Sequence, residues 1–155
     1  MTGNNRKTIL LTGATGFLGS NLLKCFLEND FEVIVLKRSF SNTWRIDDYL
    51  KTVKVYNIDR VPLSSPFEEN KINYVVHTAT NYGRKGEKIT QILLHNLFFS
   101  LELLELSAFF NTDTFFNTDT LQYKFLTSYT LSKKQFVEWG KNFADTGEIK
   151  LLILS

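Results

Sequence analysis

The chain has 155 residues, 43% of them hydrophobic and 22% charged, enough for one ordinary domain with a buried core. Eighteen basic residues stand against 16 acidic ones, and a net charge of +2 gives no polybasic surface for nucleic acid or an anionic membrane. A single cysteine, Cys25, rules out an internal disulfide and a multi-cysteine zinc site; no metal site is expected, and the setting is read as reducing and cytoplasmic.

The first seven residues, MTGNNRK, are polar, and the apolar run after them breaks at Thr12-Gly13, so no signal-peptide core is predicted. No stretch is read as approaching the roughly 18 apolar residues of a spanning helix. Thr8–Thr12 (TILLT) predicts a buried strand. It is followed by a glycine-rich turn and a helix over Phe17–Asn29, where Leu18, Leu22 and Phe26 recur every four residues. Glu32–Leu36 and Val53–Ile58 predict the second and third strands, with a surface loop bracketed by Pro62 and Pro66 after them. Tyr74–His77 is a fourth strand. Lys88–Ala108 is the longest helix, with Leu94, Leu97, Leu101 and Leu104 on one stripe. The hexapeptide FFNTDT occurs twice in tandem, at Phe109–Thr114 and Phe115–Thr120, and the second copy is taken as the fifth strand, Thr114–Thr118. Thr130–Phe143 is a further helix, and Ile149–Leu154 begins a sixth strand. Nearly continuous apolar strands alternating with helices predict a parallel, doubly wound α/β sheet.

The turn after the first strand reads Gly13-x-x-Gly16-x-x-Gly19. Gly13 suits a tight turn, Gly16 a close backbone approach to a pyrophosphate, and Gly19 a helix packed hard on its sheet. With strand before and helix after, the amides and positive end of the helix form an anion site, and the motif predicts dinucleotide binding. Gly13, Thr15, Gly16, Phe17, Leu18 and Gly19 are the candidate cofactor residues there. An acid at the end of the second strand would bind the ribose 2′-hydroxyl and repel a 2′-phosphate. Here Leu36 is followed by Lys37-Arg38-Ser39, which favours NADP over NAD. Asp59 is a candidate partner of the adenine amino group, with Asn57 competing for that role.

Tyr129 and Lys133 stand four residues apart, on one face if the segment is helical. An unperturbed tyrosine, with a pKa of about 10, is a poor acid at neutral pH, and a neighbouring ammonium is expected to lower that value. Chance supplies roughly half a Tyr-x-x-x-Lys match in a chain with six Tyr and thirteen Lys, so location carries the weight. The pair follows a strand ending in Thr118, whose hydroxyl can polarise a carbonyl, with Thr120 and Thr112 as alternatives. Asp119 is read as a turn residue.

Taken together, TGATGFLG at Thr12–Gly19, the His77-x-Ala79 segment and YTLSK at Tyr129–Lys133 resemble the extended branch of the short-chain dehydrogenase/reductase superfamily, the NAD-dependent epimerase/dehydratase family. Asn96 matches that family's helical Asn. The resemblance implies a Rossmann fold, a catalytic triad of Thr118, Tyr129 and Lys133, and a cofactor bordered by His77 and Ala79 and anchored by Lys133. His95 is expected to be structural.

Within the branch, NTDT followed by YTLSKKQFVEWGK is similar to deoxysugar-nucleotide reductases and epimerases of the CDP-abequose synthase type, in nucleotide-sugar metabolism and lipopolysaccharide biosynthesis. Thr120 stands where a 4,6-dehydratase would carry Glu, which argues against water elimination. The reaction expected is therefore NADPH-dependent reduction of a 4-keto-deoxysugar nucleotide. A sugar-nucleotide 4-epimerase and a non-catalytic NAD(P)-binding sensor or scaffold are the rivals. Because sugar recognition in this branch comes mostly from segments after the sixth strand, the sheet is expected to be truncated after that strand. Residues 1–155 are then the cofactor domain, lacking a C-terminal substrate segment, of a longer protein expected to be a homodimer.

Overall fold

The structure is a computed structural model that describes residues 6–155; residues 1–5, the start of the polar run considered as a signal peptide, lie outside the described residues. Six parallel strands form one sheet: β1 (Thr8–Thr12), β2 (Glu32–Lys37), β3 (Lys54–Asn57), β4 (Tyr74–His77), β5 (Thr114–Thr118) and β6 (Lys150–Leu154). Their order is β3-β2-β1-β4-β5-β6. The order reverses between β1 and β4, which pair from Ile9–Tyr74 to Thr12–His77. This is the doubly wound Rossmann arrangement, and the reversal opens a crevice at the carboxyl ends of the strands.

Because side chains alternate along a strand, the sheet carries two apolar layers. Leu10, Ile34, Val75 and Phe115 face one way, with Leu103, Leu104 and Phe136 packed on them. Ile9, Leu11, Val33, Val35 and Val76 face the other, with Leu23 and Ile46 over them.

Helix α1 (Phe17–Glu28) buries Gly19 and Leu23. The expected Leu18–Leu22–Phe26 stripe is displaced: Leu22 and Phe26 flank the core and Leu18 is 48% exposed. The glycine turn sets the helix down on its smallest residue, and the buried ridge follows Gly19. The expected loop at Pro62–Pro66 contains instead the start of a short helix, α2 (Ser65–Glu69), with Pro66 in its first turn and Phe67 buried. Proline lacks only an amide that the first turn leaves unbonded, so it begins a helix as readily as it marks a loop.

The predicted long helix is α3 (Ile89–Leu93), a π-helical turn (Leu94–Phe98) and α4 (Phe99–Phe109) in one run. The wider π turn rotates the stripe, so Leu97 and Leu104 are buried while Leu94 is 58% exposed. Contrary to the sequence reading, Ile89–Phe109 is long and apolar enough to cross a bilayer by length and composition. Here it packs on the sheet, with Asn96, Ser100 and Ser107 buried on its inner face. Helix α5 (Ser128–Ala144) starts two residues earlier than predicted, capped by Thr127, whose hydroxyl accepts from the Thr130 amide at 3.1 Å.

The second copy of the hexapeptide forms β5, as expected. In the first copy Phe109 closes α4 and Asn111 turns the chain at φ +57°.

Candidate active site

β1, β2, β4 and β5 end at one edge of the sheet, and the segments that follow them line a cavity of about 700 Å³. Gly13 makes the turn at φ +73°, and a Cβ there would lie 2.7 Å from the Ala79 amide nitrogen. A Cβ on Gly19 would collide with the Gly13 carbonyl. Gly16 precedes α1 in extended conformation, and no side chain caps the helix and no acid lies in its first turn. A phosphate placed there meets amides instead of a competing carboxylate. Gly13, Thr15, Gly16, Phe17, Leu18 and Gly19 all line the cavity.

At the end of β2, Lys37 and Arg38 also line it. Lys37 Nζ donates to Asn57 Oδ1 at 3.1 Å, and the Arg38 guanidinium lies 4.9 Å from the centre of the Phe40 ring. The Asp59 carboxylate is instead bound by Ser39, accepting from its amide and its hydroxyl at 2.6 Å each, and those bonds hold its pKa below the usual range. Neither Asp59 nor Asn57 lines the cavity, where Ile58 does.

Ala79 lines the cavity; His77 does not, and is 1% exposed beneath it. Thr12 Oγ1 accepts from the Thr78 and Ala79 amides, so its own proton goes to His77 Nδ1 at 2.7 Å. His77 Nε2 then carries the ring proton and donates to Ser100 Oγ at 2.8 Å, and Ser100 donates to the Asn96 carbonyl. Burial, reinforced by the Lys133 charge, pushes the His77 pKa down to about 3 and keeps the ring neutral. Its place is structural because the apolar face of β4 has no water to solvate an imidazolium.

Thr118, Tyr129 and Lys133 come together on the cavity wall. Thr118 Oγ1 donates to the His77 carbonyl at 3.2 Å, and the Lys133 ammonium donates to the Thr118 carbonyl. Burial lowers the Lys133 pKa to about 8. The Tyr129 phenol is raised, not lowered as the sequence reading expected: burial raises it most, and a hydrogen bond with the Thr120 side chain opposes that. The Lys133 charge is spent on Thr118. Asp119 is more than a turn residue. Its side chain is 5% exposed, its Oδ2 meets Lys134 Nζ at 2.5 Å, and it borders the cavity. Thr112 is buried away from the cavity, with its hydroxyl unpartnered.

Asn96 ties these pieces together from the π turn. Its Oδ1 accepts from the Asn81 amide at 2.7 Å, and its Nδ2 donates to the Asn81 carbonyl at 2.8 Å and to Ser132 Oγ at 3.0 Å. The loop after β4 is thus fastened to the helix bearing Tyr129 and Lys133. His95, expected to be structural, is exposed at the cavity rim.

Sequence reasoning missed Tyr82, which lines the cavity and whose ring centre lies 4.9 Å from that of Tyr129. No spacing motif marks it. Tyr82 and Tyr129 also line a second cavity of about 560 Å³, with Arg84, Glu87, Thr120 and Gln122.

The strand order is that of a Rossmann fold, and its crevice gathers the glycine turn, the open end of α1 and the Thr118, Tyr129 and Lys133 side chains. The chain belongs to the NAD dependent epimerase/dehydratase family, an enzyme family whose pattern it matches over residues 9–155. It is 32% identical over 145 residues to a CDP-abequose synthase of Salmonella muenchen, covering 90% of this chain and 48% of that protein. It is 35% identical over 81 residues to a UDP-glucose 4-epimerase of Neisseria meningitidis serogroup A, covering 47% of this chain and 24% of that one. In fold it is similar to a UDP-glucuronic acid 4-epimerase from Bacillus cereus solved with NAD, with a TM-score of 0.80 at 21% identity, over 94% of this chain and 54% of that one. The chain spans about half the length of the CDP-abequose synthases it matches.

Proposed function

We propose that this chain carries the cofactor-binding and acid–base residues of a cytoplasmic enzyme that uses NADPH to reduce a 4-keto-deoxysugar nucleotide. The observation that carries the reading is the convergence of Tyr129, Thr118 and Lys133 on the same cavity as the glycine turn. The cofactor fits the residues present: the uncapped start of α1 would hold its diphosphate, and Gly13 and Gly19 allow the turn to pack on Ala79 and on α1 so that this helix end borders the cavity. Lys37 and Arg38 would hold a 2′-phosphate, and Lys133 the nicotinamide ribose. When bound, the nicotinamide supplies a hydride to the keto carbon.

The chain's own residues handle the proton. The Tyr129 phenol gives its proton to the carbonyl oxygen, and Thr118 turns its hydroxyl from the His77 carbonyl to orient that oxygen. Lys133, with a pKa near 8, exchanges its bond to the Thr118 carbonyl for the ribose hydroxyls and brings positive charge toward the phenolate left on Tyr129. Substrate recognition is assigned to a segment following β6 in a protein about twice as long, working as a homodimer.

In that full-length protein, Tyr129→Phe lowers turnover by about a thousandfold, while NADPH affinity stays within a few-fold of wild type. Near-normal turnover would sink the assignment. A second reading, a sugar-nucleotide 4-epimerase, draws support from the likeness to the Neisseria enzyme. Stoichiometric release of NADP+ with reduced sugar separates reduction from epimerisation, which returns its cofactor to the starting state.

A further inference from the structure

Tyr129 lines both cavities, and the segment after β4 that lines them with it is a built turn. Asn81, held at both backbone atoms by Asn96, accepts the Gly83 amide on its own Oδ1 at 2.9 Å. Gly83 then turns the chain at φ +68°, a conformation that favours glycine. The turn folds Arg84 back over Tyr82, with the guanidinium carbon 4.7 Å from the ring centre, while the Tyr82 ring lies 4.9 Å from that of Tyr129. Tyr82 is 50% exposed, so burial alone does not account for this stack. Tyr82 and Tyr129 border both cavities, whereas Arg84 borders the second.

We propose that Tyr82 and Arg84 form a cation-capped aromatic shelf that positions the Tyr129 phenol between the two cavities and supplies positive charge to it from the second cavity. The role rests on the reading of Tyr129 as the proton donor. Charged and titratable groups lie around Tyr129 on four elements, among them His95 of the π turn at the cavity rim. The loop after β4 brings Tyr82, Arg84 and Glu87; the end of β5 brings Asp119; α5 brings Lys133 and Lys134. Lys133 is bonded to the Thr118 carbonyl and Lys134 to Asp119, so neither ammonium is directed at the phenol. Tyr82 and Asp119 disfavour the phenolate and Arg84 favours it. A phenol that gives up its proton leaves a negative charge, and a guanidinium held across one ring stabilises that charge without occupying the place of the substrate oxygen. Tyr82 and Arg84 are thus positioning residues that act through Tyr129.

The test is an alkaline titration of phenolate absorbance in the folded chain without ligand. The same titration of a Tyr129→Phe version is subtracted in each background to isolate Tyr129. Arg84→Gln raises the Tyr129 midpoint by about half a pH unit or more, whereas Arg84→Lys stays closer to wild type. Lys85→Gln, which removes the neighbouring cation, leaves the midpoint in place. An unchanged midpoint in Arg84→Gln overturns the shelf, as does an equal shift in Lys85→Gln. In the full-length protein, the alkaline limb of the pH–rate profile moves upward in Arg84→Gln by the same amount. A titration shift without turnover on any keto sugar nucleotide overturns the reading of the reaction and leaves the shelf standing. Turnover with no titration shift does the reverse.

Discussion

His77 sits where a proton cannot be solvated: its ring is 1% exposed, with both nitrogens bonded to hydroxyls and Phe99, Phe115 and Phe136 around it. Its ordinary pKa of 6.5 drops to about 3 in the fold. The unfolded chain therefore takes up a proton that the native state refuses. The contribution to stability is complete above pH ~6.5 and declines as pH falls toward about 3, at up to ~1.4 kcal/mol per unit. His77→Gln, which cannot titrate, flattens that slope. Urea midpoints at pH 7 and pH 5 check it, and a wild-type slope no steeper than the variant's would refute it. The same burial removes His77 from the cavity wall. The His-x-Ala spacing marked the correct strand end, and the end of the strand separates the two residues: His77 is the last residue of β4 and is packed among Phe99, Phe115 and Phe136, whereas Ala79 lies past the strand and lines the cavity.

At the scale of elements, the π turn at Leu94–Phe98 is where local preference yields to the site. The run of Leu and Phe around it would form a regular α-helix, and the extra residue in the turn allows Asn96 to satisfy Asn81 and Ser132 while Leu97 stays in the core. Asn96→Ala leaves the Asn81 amide and carbonyl without these partners and loosens the loop carrying Tyr82. A stability loss of about 1–3 kcal/mol is expected from urea unfolding. Amide exchange over residues 80–87 should quicken more than over β1. Equal protection in both places would show that the loop does not depend on Asn96. The tandem hexapeptide makes a related point. The same residue types form a helix end and turn over Phe109–Asn111 and a strand over Phe115–Asn117, because the second set lies between β4 and β6 and pairs with both, while the first set ends α4.

At the scale of the whole molecule, the sheet reversal gathers charges and hydroxyls from four strand ends into one crevice. Cofactor choice belongs to this scale, because Arg38 reaches the crevice only through the pairing of β2 with β1 and β3. Lys37 is engaged with Asn57, so Arg38 is expected to dominate recognition of a 2′-phosphate. Arg38→Ala should weaken NADPH binding about tenfold and leave NADH binding unchanged, as read by nucleotide fluorescence. Equal losses for both nucleotides would remove Arg38 from that role.

The sequence by itself determined the parallel α/β class, the six strands, the glycine turn and the Tyr129–Lys133 pair. Those features rest on short-range rules: apolar periodicity, the φ freedom of Gly13, and a spacing of four on a helix. Thr114–Thr118 was legible as β5 because the long helix before it left no room for the first copy. Only the tertiary structure decided which way side chains point. It turned the Lys133 ammonium to the Thr118 carbonyl instead of the phenol, bound Asp59 to Ser39 and buried Asp119 against Lys134. It also brought Tyr82 and Arg84 onto Tyr129 from a loop with no motif. The reason is physical: hydrogen bonds and ion pairs between residues far apart in the chain depend on which strand ends become neighbours, and no local pattern encodes that.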